Sequence, residues 1–298
     1  MQTLVKAAAG GSWKSSMDVL NHIRFHKMRE PSIVFQHGKK LLDNHASSLG
    51  TEKWDVYEQT AIAALDLGHV ALAQQYVDKL KLRWTDSTRV EKLQGMVGEA
   101  AGNYDAAIKL YRNMMKKNPA NALAHKRIVS VYRAQGRTKD AIKELTEYLK
   151  NFSADISGWQ ELASLEMSVG NASEACFGYE ELILADPMNY LLHSKYAELL
   201  YTVGGIEKLK AARRHFVQSI HFKPKHNVRA MLGVCMSSHA VATTKTRRSD
   251  DDDATVNDNI YAKASGDLLK AYADLGAPSD ISAAMERVLQ QQKKAMKA

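Results

Sequence analysis

His22 and His26 stand one helical turn apart, the spacing with which a helix can offer two imidazoles to one metal ion. A zinc centre needs at least a third ligand, and a hydrolytic one needs a carboxylate base beside it. The sequence shows no third ligand beside the pair and no carboxylate in a zincin arrangement, so the plainer reading is of two helix histidines on a partly exposed face. His215, His221 and His226 surround a proline-bearing turn without a regular ligand spacing. The two cysteines, Cys176 and Cys235, are too few for a cluster, and Cys176 reads as a small core residue. No nucleophile elbow, phosphate loop or dinucleotide fingerprint occurs. We therefore expect a non-enzyme with no metal and no cofactor.

The chemistry that remains is recognition by charge. Lysine and arginine number 41 against 33 aspartates and glutamates, a formal net charge of +8. Such a balance suits an acidic protein segment, a nucleic acid or an anionic membrane surface. Which of them it serves depends on where the cations sit, and so on the elements that carry them.

Glycine marks those elements. Gly68, Gly102, Gly136, Gly170 and Gly204 are each 34 residues apart, the period of a tetratricopeptide repeat. Five residues after the first four stand Ala73, Ala107, Ala141 and Ala175, and four further on Val77, Tyr111, Leu145 and Tyr179. The glycine ends helix A of each pair in a left-handed turn, the alanine lets helix B cross it closely, and the larger residue fills the gap between pairs. On helix A the facing position is small in Ala61, Gly95, Ala163 and Ala197, with Val129 bulkier. Pro119, Pro187 and Pro224 close helix B. Pro187 and Pro224 are 37 residues apart, so the last unit carries three extra residues, expected in the turn at Gly204, Gly205 and Ile206. The fold class is all-α, a right-handed tetratricopeptide superhelix (α-solenoid) with flanking helices. Such arrays bind partners along an extended surface.

In a tetratricopeptide unit, positions 2, 5, 6, 9 and 12 of helix A face the groove. For the unit from Thr88 these are Arg89, Lys92, Leu93, Met96 and Glu99; for the unit from Ala122, Leu123, Lys126, Arg127, Ser130 and Arg133 occupy that face. Arg89, Lys92, Lys126, Arg127 and Arg133 are the expected partner-binding residues, and a groove with a basic centre suits an acidic segment of another protein. The plainer alternative is a solvated helix face. Nucleic acid is not expected, because no aromatic platform interleaves the cations. The carboxylate clamp of chaperone-binding repeats is absent too: from Ala122 its positions read Lys126, Ser130, Glu161, Leu191 and Lys195, and Glu161 would repel a carboxylate.

The residues also carry a family resemblance. Tyr57-Glu58-Gln59, Ile62 to Asp66, Gly68, Leu72-Ala73, Arg89-Val90, Gly95-Met96, Tyr104-Asp105, Ala107-Ile108 and Leu110-Tyr111 begin it. Ala134-Gln135-Gly136, Ala141-Ile142, Glu147-Tyr148-Leu149, Trp159 and Glu161-Leu162-Ala163 continue it. Tyr196-Ala197-Glu198, Tyr201-Thr202 and the double glycine Gly204-Gly205 are its most specific segment. Together these strings resemble subunit 2 of the endoplasmic reticulum membrane protein complex, from about Trp13 to Ala240. The resemblance implies a scaffold peripheral to the cytoplasmic face of the reticulum membrane and attached only through partners. It implies as partners the insertase-like subunit 3, the C-terminal tail of subunit 5 and a soluble, inactive metalloprotease-like subunit. It further implies support for inserting tail-anchored and multipass membrane proteins. Two other classes predict differently: a free-standing adaptor would hold one acidic peptide, and an enzyme would turn over at the His22 and His26 region.

The flanks complete the organisation. Met1 to Gly11 lacks the apolar core of a secretory signal, and the cations near it would make at best a mitochondrial leader weakened by Asp18 and Glu30. An amphipathic helix is expected from Ser12 to Arg29 and a second helix from Ser32 to Ser48. The expected division is an N-terminal helical extension over 1–50, a repeat array over 51–225 with units starting near 54, 88, 122, 156 and 190, and a helical cap over 226–298. Within the cap, 242–259 is polar, carries the run Asp250 to Asp253, and is expected to be a disordered loop.

Overall fold

In the computed structural model of the chain, residues 12–244 and 251–297 are described. Met1 to Gly11 and residues 245–250 therefore lie outside the described part. Among the described residues the chain forms helices and no strand. They are α1 (Trp13–Phe25), α2 (Pro31–Asn44), α3 (Lys53–Asp66), α4 (Val70–Arg83), α5 (Thr88–Ala100), α6 (Tyr104–Lys117), α7 (Ala122–Ala134), α8 (Thr138–Asn151), α9 (Ile156–Ser168), α10 (Ala172–Ala185), α11 (Tyr190–Val203), α12 (Ile206–Phe222), α13 (Val228–Thr244), α14 (Asp251–Asp274) and α15 (Ser279–Lys297). None is long and apolar enough to cross a membrane.

The repeat period is a backbone fact. All five glycines adopt φ between 69° and 82°, a region that costs other residues strain. A Cβ there would meet nothing within 4 Å, so conformation and not space selects glycine. After the first four, the next amide reaches back to the helix: His69 to the Ala64 carbonyl, Asn103 to Gly98, Arg137 to Tyr132 and Asn171 to Glu166, at 2.8–2.9 Å. These bonds satisfy carbonyls that the ending helix would otherwise leave without a donor. Gly95 is a different case. A Cβ there would lie 2.5 Å from Cζ of Tyr111, so glycine is what lets α6 press its tyrosine against α5.

The chain divides into two compact units, Met1–Glu144 and Leu145–Ala298. In the first, Leu20, Leu41, Val56, Ala61, Ala73 and Val77 belong to one buried cluster, and Ala107, Tyr111, Met114, Ile128 and Val131 to another. Burial of each leucine, isoleucine, valine or methionine side chain among them stabilises by about 1.5–3 kcal/mol. Glu144 is buried as well, which is tolerable because Arg112 donates to it at 2.6 Å and the His125 ring lies 3.1 Å away. In the second unit Ala175, Ala197, Leu200, Ala212, Phe216, Cys235, Tyr261, Leu268 and Leu289 form the core.

Three local expectations need correction. α1 stops at Phe25 rather than Arg29, because Lys27 turns left-handed (φ 51°) and the Met28 amide caps the Ile23 carbonyl at 3.0 Å. The three extra residues of the last unit do not loosen its turn. α12 begins two residues after Gly204, as α10 does after Gly170, but runs 17 residues against 14, so its buried packing alanine is Ala212, eight residues on. The insertion is thus nearly one helical turn, about 4.5 Å of axis. Third, the expected loop 242–259 is helical at both described ends, residues 242–244 closing α13 and 251–259 opening α14. Asn257 explains why: it is 2 % exposed, accepts from the buried Arg213 guanidinium and donates to the Ser238 carbonyl at 3.0 Å. One buried amide thereby ties α14 to α12 and α13, which composition could not reveal.

Candidate functional site

Within the first unit, α3, α5 and α7 offer polar faces to two adjoining clefts. The larger, about 630 Å³, has an apolar floor of Ile62, Leu65, Met96 and Val131 and a charged rim of Arg29, Asp66, Lys92, Glu99 and Arg127. The smaller, about 270 Å³, lies over Ile23, Met28, Pro31 and Val34, with Asp55, Glu58 and Arg89 at its edge. Pro31 positions the rim as well as the floor. It stands first in α2, where a missing amide costs nothing, and the link before it carries Arg29 over the groove.

The rim is stitched by ion pairs between neighbouring elements. Arg24 meets Asp55 at 2.7 Å, Arg29 meets Asp66 at 2.9 Å with a second contact at 3.3 Å, Arg89 meets Glu58 at 2.6 Å, and Arg127 meets Glu99 at 3.2 Å. Glu99 also accepts from the Tyr111 hydroxyl at 2.5 Å. Burial raises the Glu99 carboxyl above its ordinary range, against the hydrogen bond from Tyr111 and the attraction of Arg127. Burial and the Glu99 bond push the Tyr111 hydroxyl up in turn. Hydrogen bonding to Glu58 is the leading cause that holds Arg89 above its ordinary value.

Of the five expected binding residues, Lys92 and Arg127 line the larger cleft, and Arg89 lines the smaller one with Arg24 and Arg29. Lys126 is half-buried and Arg133 exposed on α7, and neither lines these two clefts. Leu93, placed on the groove face by repeat position, is 1 % exposed and belongs to the core. The groove is also less basic than its cations suggest, because Arg89 and Arg127 are each answered by a carboxylate from the preceding helix A, Glu58 and Glu99. Lys92 has no ion pair among the described residues. Arg29, Asp66 and Glu58 were missed as site residues. Arg29 precedes the repeats and so has no repeat position, while Glu58 sits one turn into the first unit, where Arg89 of the next could have been read as its partner.

His22 and His26 pack ring against ring, centroids 4.4 Å apart, at the end of α1. Among the described residues no group of three potential ligands could hold a metal ion.

A family profile described as the EMC2 TPR-like repeat domain matches residues 82–206. The chain is 37% identical over 263 residues to ER membrane protein complex subunit 2-A of Xenopus laevis, covering 88% of this chain and 87% of that one. It is 29% identical over 242 residues to ER membrane protein complex subunit 2 of Dictyostelium discoideum, covering 77% and 75%. Among solved structures, the C-terminal part of a tetratricopeptide-repeat protein from Cytophaga hutchinsonii is similar with a TM-score of 0.57 at 13% identity, covering 87% of this chain and 95% of that one. That likeness bears on the fold alone.

Proposed function

Because the chain belongs to the family of ER membrane protein complex subunit 2, we propose that it is a non-catalytic scaffold subunit of that complex. It works at the cytoplasmic face of the reticulum membrane and is held there by its partners. The helices before residue 51 and after residue 225 flank a repeat array that does the holding. Through that array it supports insertion of tail-anchored and multipass membrane proteins without making or breaking a covalent bond. Its partners are the insertase-like subunit 3, the C-terminal tail of subunit 5 and the soluble metalloprotease-like subunit.

The observation that carries this reading is the larger cleft of the first unit. Its apolar floor, Ile62, Leu65, Met96 and Val131, can take the side chains of an extended or helical segment. Its rim, Arg29, Lys92 and Arg127 against Asp66 and Glu99, is net basic and fixes the segment's register by charge. Arg89, Lys126 and Arg133 lie nearby on α5 and α7 and belong to the same proposed binding surface.

Purification of a tagged chain from detergent-solubilised membranes tests the proposal. Lys92→Glu combined with Met96→Asp places two new acids in the cleft at half-buried positions. We expect the folded variant to lose the membrane subunits. Full recovery of all of them would remove the cleft from the mechanism.

A further inference from the structure

A second recess lies on another face of α3. Trp54 and Tyr57, not the groove residues Asp55 and Glu58, turn toward α4 and form its floor. Lys53, Lys79, Leu82 and Arg83 surround a volume of about 410 Å³. Unlike the groove clefts, where carboxylates line the wall beside the arginines, its charged lining is entirely basic. None of the three cations makes an ion pair among the described residues.

The cations are nevertheless held in place. The Lys53 ammonium sits 4.7 Å from the centre of the Trp54 ring, and that of Lys79 sits 5.1 Å from the centre of the Tyr57 ring and 3.4 Å from its hydroxyl. Cation–π contact orders an ammonium without neutralising it, so charge and hydrogen-bond donors stay available. The Trp54 ring is itself braced edge-on by Trp84 at 5.2 Å. Beside this floor Leu82 stands 85 % exposed. An isolated protein has no reason of stability to gather three unanswered cations around an aromatic recess, since like charges repel.

We propose that this recess is a second docking site, for a short acidic segment of a protein partner that carries an aromatic or aliphatic side chain beside its carboxylates. The carboxylates would meet Lys53, Lys79 and Arg83, and the apolar side chain would lie on Trp54 and Tyr57 against Leu82. A recess floored by rings between two helices has room for side chains, whereas an anionic bilayer is met by cations spread over a plane. The site uses none of the residues assigned to the groove, so it stands whether or not the groove reading does.

The test uses the full chain and a fluorescein-labelled Glu-Asp-Phe-Glu-Asp-Leu peptide, followed by fluorescence anisotropy at low and at physiological salt. We expect saturable binding that weakens with salt and falls about tenfold or more in Lys79→Glu with Arg83→Glu. A smaller loss is expected in the neutral pair Lys79→Gln with Arg83→Gln. Lys109→Glu, on the exposed face of α6, should leave binding unchanged, and both recess variants should match the wild type's melting curve. Replacing Phe by Gly in the peptide should also weaken binding. The inference is overturned if the peptide does not bind, if binding ignores the recess substitutions while responding to Lys92→Glu, or if phosphatidylserine vesicles bind in a recess-dependent manner and the peptide does not.

Discussion

Replacing Arg127 by methionine separates the structural from the adhesive role of a groove cation. Methionine keeps the aliphatic reach and the helix propensity of arginine, but leaves the Glu99 carboxylate with Tyr111 as its remaining described partner. The Glu99 side chain is 17% exposed and that of Arg127 29%. Removing one member of a fully buried pair costs about 3–5 kcal/mol, and the solvent still reaching this one lowers the expected loss to about 2 kcal/mol. The loss has a pH signature. Burial already raises Glu99, and deleting Arg127 removes two influences that lower it. The folded variant then retains a proton that the unfolded chain releases, so its stability falls as pH rises through the window above the unfolded value. Every tenfold weakening of the carboxyl's acidity in the folded state costs about 1.4 kcal/mol above that window. Urea denaturation at about pH 7.5 and about pH 5 reads this directly, with the larger deficit at the higher pH. Arg127→Met with Glu99→Gln carries no orphaned charge and should recover most of the loss. A deficit below about 0.5 kcal/mol, or one equal at both pH values, would mean that Arg127 does not hold the Glu99 charge in the folded chain.

Three further outcomes follow from the packing. Gly136→Ala should cost about 1–2 kcal/mol although a Cβ meets nothing there, because φ is +69°; an unchanged urea midpoint would contradict that. Ala175 is fully buried where α10 crosses its neighbours, and Ala175→Leu should overpack that crossing by about 1–3 kcal/mol, read as a lower melting temperature and faster proteolysis. The His193 and His215 rings lie Nδ1 to Nδ1 at 3.0 Å, with His193 Nε2 2.9 Å from the Pro187 carbonyl. Burial first, then His193, lowers His215 from 6.5 to about 4. Between those values the unfolded chain binds the extra proton, so stability is lost as pH falls below 6.5, by up to about 3 kcal/mol at pH 4. His215→Asn should flatten that part of the acid-unfolding profile, and a profile of unaltered slope would count against it.

The repeat was legible because its determinants are local and periodic. A left-handed glycine and a crossing alanine depend on backbone and neighbour, and these recur every 34 residues from Gly68 to Gly204. Of the five expected cations, Arg89, Lys92 and Arg127 line the two clefts, whereas Lys126 and Arg133 line neither. Ion-pair partners were not legible, since the pairing of Arg127 with Glu99 or Arg29 with Asp66 is decided by which helices meet, and Arg29 comes from outside the period. Leu93 shows the limit of a positional rule, its side chain being drawn into the core rather than the groove. The polar composition of 242–259 concealed Asn257 for a related reason. A polar residue is readily buried when a buried arginine and a carbonyl await it, and neither is near in sequence.

The proposed scaffold role requires that the larger cleft of the first unit hold a segment of another subunit. A photo-crosslinking amino acid in place of Met96, on the cleft floor, tests it in cells, with Lys109 on the exposed face of α6 as the control position. The Met96 position should capture a membrane-embedded subunit through its cytosolic segment, and the Lys109 position should not. A chain that co-purifies with the assembled complex yet gives no such adduct from Met96 would contradict the proposed role.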